Sequence, residues 1–399
     1  MPSSNTLLTP TIIAKESLMQ LVNSLGMAAN VYRAYKDEFV KVGQTITVRK
    51  PNKFRATKAQ ARSNSNISEP STSITMSTQA HVSWAFSSAE LTQTIEEYSK
   101  RYISPAANAL ANQVDTDLCA LYKDVANSAG TPGTTPGTFA ALGAAQTILD
   151  LEGAPADRRV AIVNPVANWS LADGLKGTFA QTVAKDIITR GFLGKIANLD
   201  IYMDQNVQMH TTGSFTAGAT PIMNGATASG ATSFVTNGWS GSNTIKAGDV
   251  FTVAATNQVN PMSGQSTGRL RQWVVTADNA DTTADMTIAI SPTCIYGATN
   301  AYSNVDALPL TTAALAFLGT ASAVYAQNLV FHPNAFALVT VPIEMPSNVW
   351  GARESDADAG ISIRVVKQYD IDADEEIIRM DILYGVKTLY PELAVRLWG

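Results

Sequence analysis

Along residues 73–86, "SITMSTQAHVSWAF", apolar and polar side chains alternate. Ile74, Met76, Ala80, Val82, Trp84 and Phe86 hold even positions, while Ser73, Thr75, Ser77, Gln79, His81 and Ser83 hold odd ones. A period of two sustained over about thirteen residues predicts one long strand with a buried and a wet face. A partner strand is predicted at "GQTITVRKP". There Ile46 and Val48 alternate with Thr45, Thr47 and Arg49, and Pro51 ends the ladder because it has no N–H to give. The segment between them runs into a polar tip, "SNSNISEPSTS". Together they predict a β-arm that reaches away from the body.

Helical spacing marks other stretches. Ile12, Ile13, Leu18, Leu21, Val22 and Leu25 form one face of an N-terminal helix, which suits an arm or a core helix equally. "SSAELTQTIEEYSKRY" has a capped start at Ser87 or Ser88. From Ser104-Pro105 onward, Leu110, Val114, Leu118, Leu121, Tyr122 and Val125 predict a spine helix stopped at Gly130. That helix would hold about 25 residues and span about 37 Å. A helix near 137–150, the strand "RRVAIVNP", a helix near 178–190 and the strand "LDIYMDQNV" follow.

Between 208 and 316 the composition changes. Glu disappears, Lys246, Arg269 and Arg271 are the only Lys or Arg, and Gly, Ser, Thr, Ala and Asn dominate. Phe251, Val253, Trp273, Val275, Ile288 and Ile290 alternate within strand-like runs, so this stretch reads as a separate all-β module with its own small core. After it, "QNLVFHPNAFALVTVP" returns to the mixed pattern. "ISIRVVKQYDID" and "EEIIRMDILYGVKTLYP" predict a strand pair joined by the acidic turn "DADEE".

Charge sharpens the picture. The chain of 399 residues carries a formal net charge of −5, and only 15% of it is Asp, Glu, Lys or Arg, against about 25% in ordinary soluble domains. So little charge implies that much of the surface is covered by something other than water, most simply by another copy. Yet residues 47–62 hold six cations, Arg49, Lys50, Lys53, Arg55, Lys58 and Arg62, with no acid among them. Acid concentrates near the C-terminus, at Glu354, Asp356 and Asp358 and then at Asp370, Asp372, Asp374, Glu375 and Glu376.

Several chemistries find no support. "GTPGTTPG" lacks the Lys-Ser or Lys-Thr of a phosphate-binding loop. Cys119 and Cys294 read as reduced small hydrophobes, and His81, His210 and His332 are isolated, so no zinc spacing exists. "DIDADEE" lacks the glycine and distal Glu of a calcium loop and reads as a solvated turn. No catalytic constellation and no cofactor site stands out. No apolar run is long enough for a membrane span, and the N-terminus is not a secretory signal.

The order of elements, with "AIVNPVANW", "GFLGKIANLDIYMDQNV", "ILYGVKTLYPELAVRL" and "KAGDVFTVA" in their places, resembles the major capsid proteins of tailed bacteriophages. The closest likeness is to the coat proteins of short-tailed phages of the P-twenty-two type. The resemblance implies an α+β chain with the Hong Kong 97 capsid fold. Its parts would be an N-terminal helical arm (1–35), an extended β-loop (36–88), the spine helix and first part of the body (89–207), an inserted β-barrel-like domain (208–316), and the remainder of the body (317–399), with peripheral and axial domains. It further implies a homo-oligomeric icosahedral shell of hexamers and pentamers around double-stranded DNA, a scaffolding protein, a portal protein, and assembly in the host bacterial cytoplasm.

On that expectation the basic arm of one copy meets the acidic patch of the next. One exposed ion pair contributes only about 0–1 kcal/mol, so charge sets orientation while apolar burial supplies adhesion. Nucleic-acid contact is the rival for the basic residues, but Phe54 is the only aromatic among them. Rival readings of the whole chain are an encapsulin-type compartment shell, which the inserted module disfavours, and a secreted carbohydrate-binding β-protein.

Overall fold

The computed structural model describes residues 10–34, 45–56, 69–87, 99–175, 193–215, 219–281, 284–297, 300–347, 349–356 and 360–399. They form two compact units. The first holds residues up to Arg49, then Ser71–Leu118 and Phe336–Lys387; the second holds Lys50–Pro70, Cys119–Ala335 and Thr388–Gly399.

The first unit is organised around the strand Glu375–Thr388. Along one edge it pairs antiparallel with Ile361–Asp370, which in turn pairs with Trp350–Asp356. It also pairs antiparallel with Thr78–Ser87, from Tyr384↔Thr78 to Glu375↔Ser87, and neighbours Phe336–Thr340. The helix Pro10–Ser24 packs on the strands Trp350–Asp356 and Ile361–Asp370. Its buried residues Ile13, Ala14, Ser17, Leu18 and Leu21 recur at helical spacing. It therefore sits as a core helix of its own unit. The helix Ser104–Cys119 buries Ala107, Leu110, Ala111, Val114 and Leu118, and is preceded by a π-helical turn at Ser99–Ile103. Its buried Asp115 accepts backbone N–H bonds from Gly26 and Ala28, both at 2.7 Å.

Two sequence expectations change here. The long alternating stretch is two strands, Ser71–Thr75 and Thr78–Ser87. The first pairs with Thr45–Arg49, in register Thr45↔Thr75 to Arg49↔Ser71, and the second belongs to the body sheet. The break falls where the Thr75 carbonyl passes Gly385. A Cβ there would come within 2.5 Å of that oxygen, so only glycine permits the crossing. Ile74 and Met76 are fully buried, so the arm is shorter and better anchored than its pattern implies. The spine helix is also shorter. It gives way at Ala120–Asp124 to a tight turn, and Ser128–Ala129 is already a strand parallel to Ala394–Trp398. Leu121, Tyr122 and Val125 keep helical spacing, but Val125 is extended, and Asp124 accepts a hydrogen bond from Thr388 Oγ1 at 2.7 Å. Of the helix expected over 87–102, residues 88–98 lie outside the described residues, Ser87 ends a strand and 99–102 lie in the π-helical turn; the helix expected near 178–190 lies wholly outside the described residues.

Besides the two-stranded pair Thr244–Ile245 with Asn279–Ala280, the second unit contains two larger sheets. One runs Ser128–Ala129, Ala394–Trp398, Val324–Phe331, Arg159–Val163, Leu199–Met203, Lys195–Ile196, mixing parallel and antiparallel pairs. Helices Phe139–Leu151 and Pro165–Leu175 cover it through Leu142, Ile148, Leu149 and Leu171. Thr138 caps the first of them by accepting from the Ala141 N–H. The other sheet runs Leu315–Phe317, Val250–Val259, Ser266–Val275, Met286–Cys294, Ala231–Asn237, Ile222–Met223. It has its own core of Phe234, Phe251, Trp273, Ile288 and Ile290. The aromatic rings meet edge-on or stacked, as Phe234 and Trp273 do at 5.3 Å between centroids. Both cysteines are buried and free, and burial pushes the Cys294 thiol up to about 11.

Asp306 ties the hairpin of this second sheet. Its oxygens accept from Asn257 N (2.8 Å), Asn257 Nδ2 (2.9 Å) and Ser266 Oγ (2.7 Å). Burial alone would raise its pKa, but these bonds outweigh it and hold the carboxyl below its ordinary value of 3.8. A depressed acid stabilises the fold above its unfolded value, and that contribution disappears as pH falls through the folded one. Asp306→Asn should therefore be less stable than the natural protein at pH 7. The gap should close as pH falls below 3.8, as read from denaturant midpoints along a pH series.

Candidate assembly surfaces

The basic residues do not form one free rod. Arg49 lies in the strand pair of the first unit, opposite Ser71. Lys50 is half-buried in the second unit, its Nζ 4.8 Å from the centre of the Tyr390 ring. Burial lowers its pKa, against the pull of Glu392. The Lys53 side chain is exposed, while its backbone N–H donates to Tyr302 Oη at 3.2 Å. Arg55 makes a long contact, 3.5 Å, from Nη2 to the Ser303 carbonyl. Phe54, between them, is 66% exposed. Lys58 and Arg62 lie outside the described residues.

The acidic residues belong to the first unit. Glu354 and Asp356 are half-buried on the strand Trp350–Asp356, and Asp358 lies outside the described residues. Asp370, Asp372, Asp374, Glu375 and Glu376 surround the turn between the two longest C-terminal strands. The turn is locally ordered. Asp370 Oδ1 accepts from the Asp372 N–H at 3.0 Å, Asp374 Oδ1 accepts from Tyr369 Oη at 2.5 Å, and Asp374 has a positive φ of 54°. Glu376 pairs with Lys367 Nζ at 2.6 Å, and that Nζ lies 5.2 Å from the centre of the Trp350 ring. Apolar side chains stand among these acids: Ile371 is 80% exposed, and Tyr369, Trp350 and Ile377 are exposed as well. These side chains leave apolar area open among the carboxylates of this unit. The sequence reading missed this, although Ile371 inside "YDIDADEE" is a visible signal.

The base of that hairpin is braced by a charge cluster that no pattern along the chain singles out. Asp381 is fully buried on Glu375–Thr388 and accepts from Arg364 Nη2 and Nε, and from Arg379 Nε at 2.6 Å. Arg364 also donates to the Glu344 carbonyl at 2.6 Å. Cross-strand neighbours with unlike charge hold the register in which the acids meet at the turn. Among the described residues, no three His, Cys, Asp or Glu side chains come together as metal ligands would. None of the helices described is long and apolar enough to cross a membrane.

The chain belongs to the P22 coat protein family, whose model, "P22 coat protein - gene protein 5", matches residues 1–399. It is accordingly a phage major capsid protein, a component of the virion. A curated relative, the "Major capsid protein" of Acyrthosiphon pisum secondary endosymbiont phage 1, is 24% identical over 315 residues, 74% of each chain. Among solved structures, a chain of Mycobacterium phage Che8 is 16% identical with a TM-score of 0.48, covering 93% of this chain and 90% of that one. The capsid of Ralstonia phage GP4 is 8% identical with a TM-score of 0.46, covering 97% and 92%.

Removing Asp381 should leave two cationic groups without their buried partner. Asp381→Ala is expected to cost about 3 kcal/mol, short of the full penalty for a wholly buried pair because Arg379 keeps contact with water. The midpoint of urea unfolding of the unassembled chain checks this.

Proposed function

We propose that this chain builds the icosahedral shell that encloses a phage double-stranded DNA genome, in the host cytoplasm, as hexamers and pentamers. In the finer reading, residues 208–316 are a domain inserted into a Hong Kong 97 capsid fold. A scaffolding protein guides assembly, and a portal protein occupies one vertex. Family membership supports the shell itself.

The contact that we assign between copies is the basic finger of one chain on the acidic patch of the next. Its residues are Arg49, Lys50, Lys53, Arg55, Lys58 and Arg62 on one side, and Glu354, Asp356, Asp358, Asp370, Asp372 and Asp374 on the other. The carrying observation is the acidic turn with Ile371 exposed at its tip. It offers charge for orientation and apolar area for adhesion at one place. Contacts of this kind are individually weak, and a closed shell sums many of them, so misplaced copies can leave before closure.

The test spares the cations that the chain uses internally, Lys50 against Tyr390 and Arg55 against Ser303. Lys53→Glu, Lys58→Glu and Arg62→Glu together should leave the melting of the unassembled chain within a few degrees of the natural one and reduce shell yield at least tenfold. Adding Asp370→Lys, Asp372→Lys and Asp374→Lys should restore shells. Negative-stain microscopy and sedimentation supply the readout, and full assembly of the first variant would defeat the assigned contact.

A further inference from the structure

Beyond Lys50, the described residues of the basic finger touch two turns of the second sheet. Tyr302 Oη donates to Asn52 Oδ1 at 2.6 Å and accepts the Lys53 N–H at 3.2 Å. Arg55 lies over the turn 260–264 so closely that a Cβ on Gly264 would come within 2.7 Å of its Nη1. Both turns are stiff. Asn300 accepts from the N–H groups of Tyr302 (Oδ1, 2.9 Å) and Ser303 (main-chain O, 3.1 Å). Asn304 joins the next strand at both ends, its Oδ1 accepting the Ile295 N–H at 2.9 Å and its Nδ2 donating to the Thr293 carbonyl at 2.7 Å. Asn260 Oδ1 accepts from the Met262 and Ser263 N–H groups at 2.9 and 3.1 Å. Beneath the finger lies a cavity of ≈130 Å³ lined by Lys53, Tyr302, Arg271, Glu152 and Glu392 among others. Residues 52–55 are thus pinned at a few polar points, with Phe54 left exposed.

We infer that these two turns are a dock, built into the inserted sheet, that holds the finger's root in its own chain and so aims Phe54 and the Lys53 side chain at a neighbouring copy. This rests on the assembly reading given above. Phe54 is the apolar member of the contact, 66% exposed, and the occupant it fits is the acidic turn of a second copy, which carries Ile371 and Tyr369 beside its carboxylates. Apolar side chains beside carboxylates match a segment that carries Phe54 beside Lys53, whereas duplex DNA offers phosphate charge to Lys53 and keeps its base faces stacked inside. Tyr302 is a positioning residue. Its hydroxyl fixes two consecutive finger residues, Asn52 and Lys53. A segment fixed before association loses less freedom on binding, so the dock speeds assembly without adding area to the interface.

The dock is tested on the unassembled full chain. Tyr302→Phe keeps the ring and removes both hydrogen bonds; Asn52→Ala removes one bond from the finger's side, where it cannot unfold the sheet. Each should raise amide exchange at Lys53 and tryptic cleavage after Lys53 and Arg55 about three- to tenfold. Shells should still form, severalfold more slowly. Phe54→Ser should leave Lys53 exchange unchanged and still slow assembly. Unchanged exchange and cleavage in both dock variants would overturn the dock, whatever the shells do. Faster assembly of Tyr302→Phe would also overturn it, since the contact would then be restraining the finger. Failure of the natural chain to form shells would instead refute the assembly reading and leave the exchange result standing.

Discussion

Backbone pairing along Glu375–Thr388 is the constraint on which the first unit depends. This one strand is fourteen residues long. It carries Ile361–Asp370 on one edge, and its other partners are Thr78–Ser87 and Phe336–Thr340, so strands far apart in sequence take their register from it. Its alternate side chains Ile378, Met380 and Ile382 are buried, and a slip of one residue would turn them all outward. Its N-terminal end projects the acidic turn. Its C-terminal end carries Gly385, the one position where the Thr75 backbone can pass. The acidic turn is therefore held by the same ladder that holds the core.

The second unit depends on buried charge in a comparable way. Arg396 is fully buried on the C-terminal strand, donating to the carbonyls of Val125 (2.8 Å) and Gly248 (2.6 Å), with its guanidinium 5.2 Å from the centre of the Tyr122 ring. Burial draws its pKa down to about 10, opposed by Tyr122, Asp249 and Asp124, which leaves it charged at neutral pH. Beside it His210 bridges Tyr122 Oη (3.0 Å) and Asp249 Oδ1 (2.8 Å), and Asp249 Oδ2 accepts the N–H groups of Gly213 and Lys246. Three parts of the chain meet here: the end of the spine helix, the turn before Val250 and the final strand. A buried charge left without partners is costly, so each of these partners contributes to the joint. Through Asp249 and Gly248 it ties the start of the strand Val250–Val259 to the final strand.

A shell asks its subunit for two properties that pull against each other. The subunit must be stable alone, yet it must keep apolar surface for its neighbours. Here the buried cores lie within two separate units, and the exposed apolar side chains are scattered: Ile371 and Trp350 in one unit, Phe54 and Trp169 in the other. Small patches divided among charged side chains limit premature aggregation, and they gain strength only when many copies engage them together.

Much of this was legible in the chain itself. Period-two runs located Val250–Val259, Ile361–Asp370 and most of Glu375–Thr388, and the change in composition after 208 marked a stretch with a core of its own, because these signals are local and each strand carries its own pattern. The ends of elements were not legible. The alternation of 73–86 misses only one even position, Thr78, yet the strand divides just before it, where the Thr75 carbonyl passes Gly385, some three hundred residues away. The helical spacing of 104–125 continues past the true end of the helix, because Thr388, Arg396 and the parallel strand Ala394–Trp398 claim that backbone instead. The sequence also showed where positive charge gathers, but not that Tyr302 and Gly264 take hold of its root. Charge and periodicity belong to neighbours along the chain, whereas a register, a crossing or a dock is decided by residues that meet only once the chain has folded.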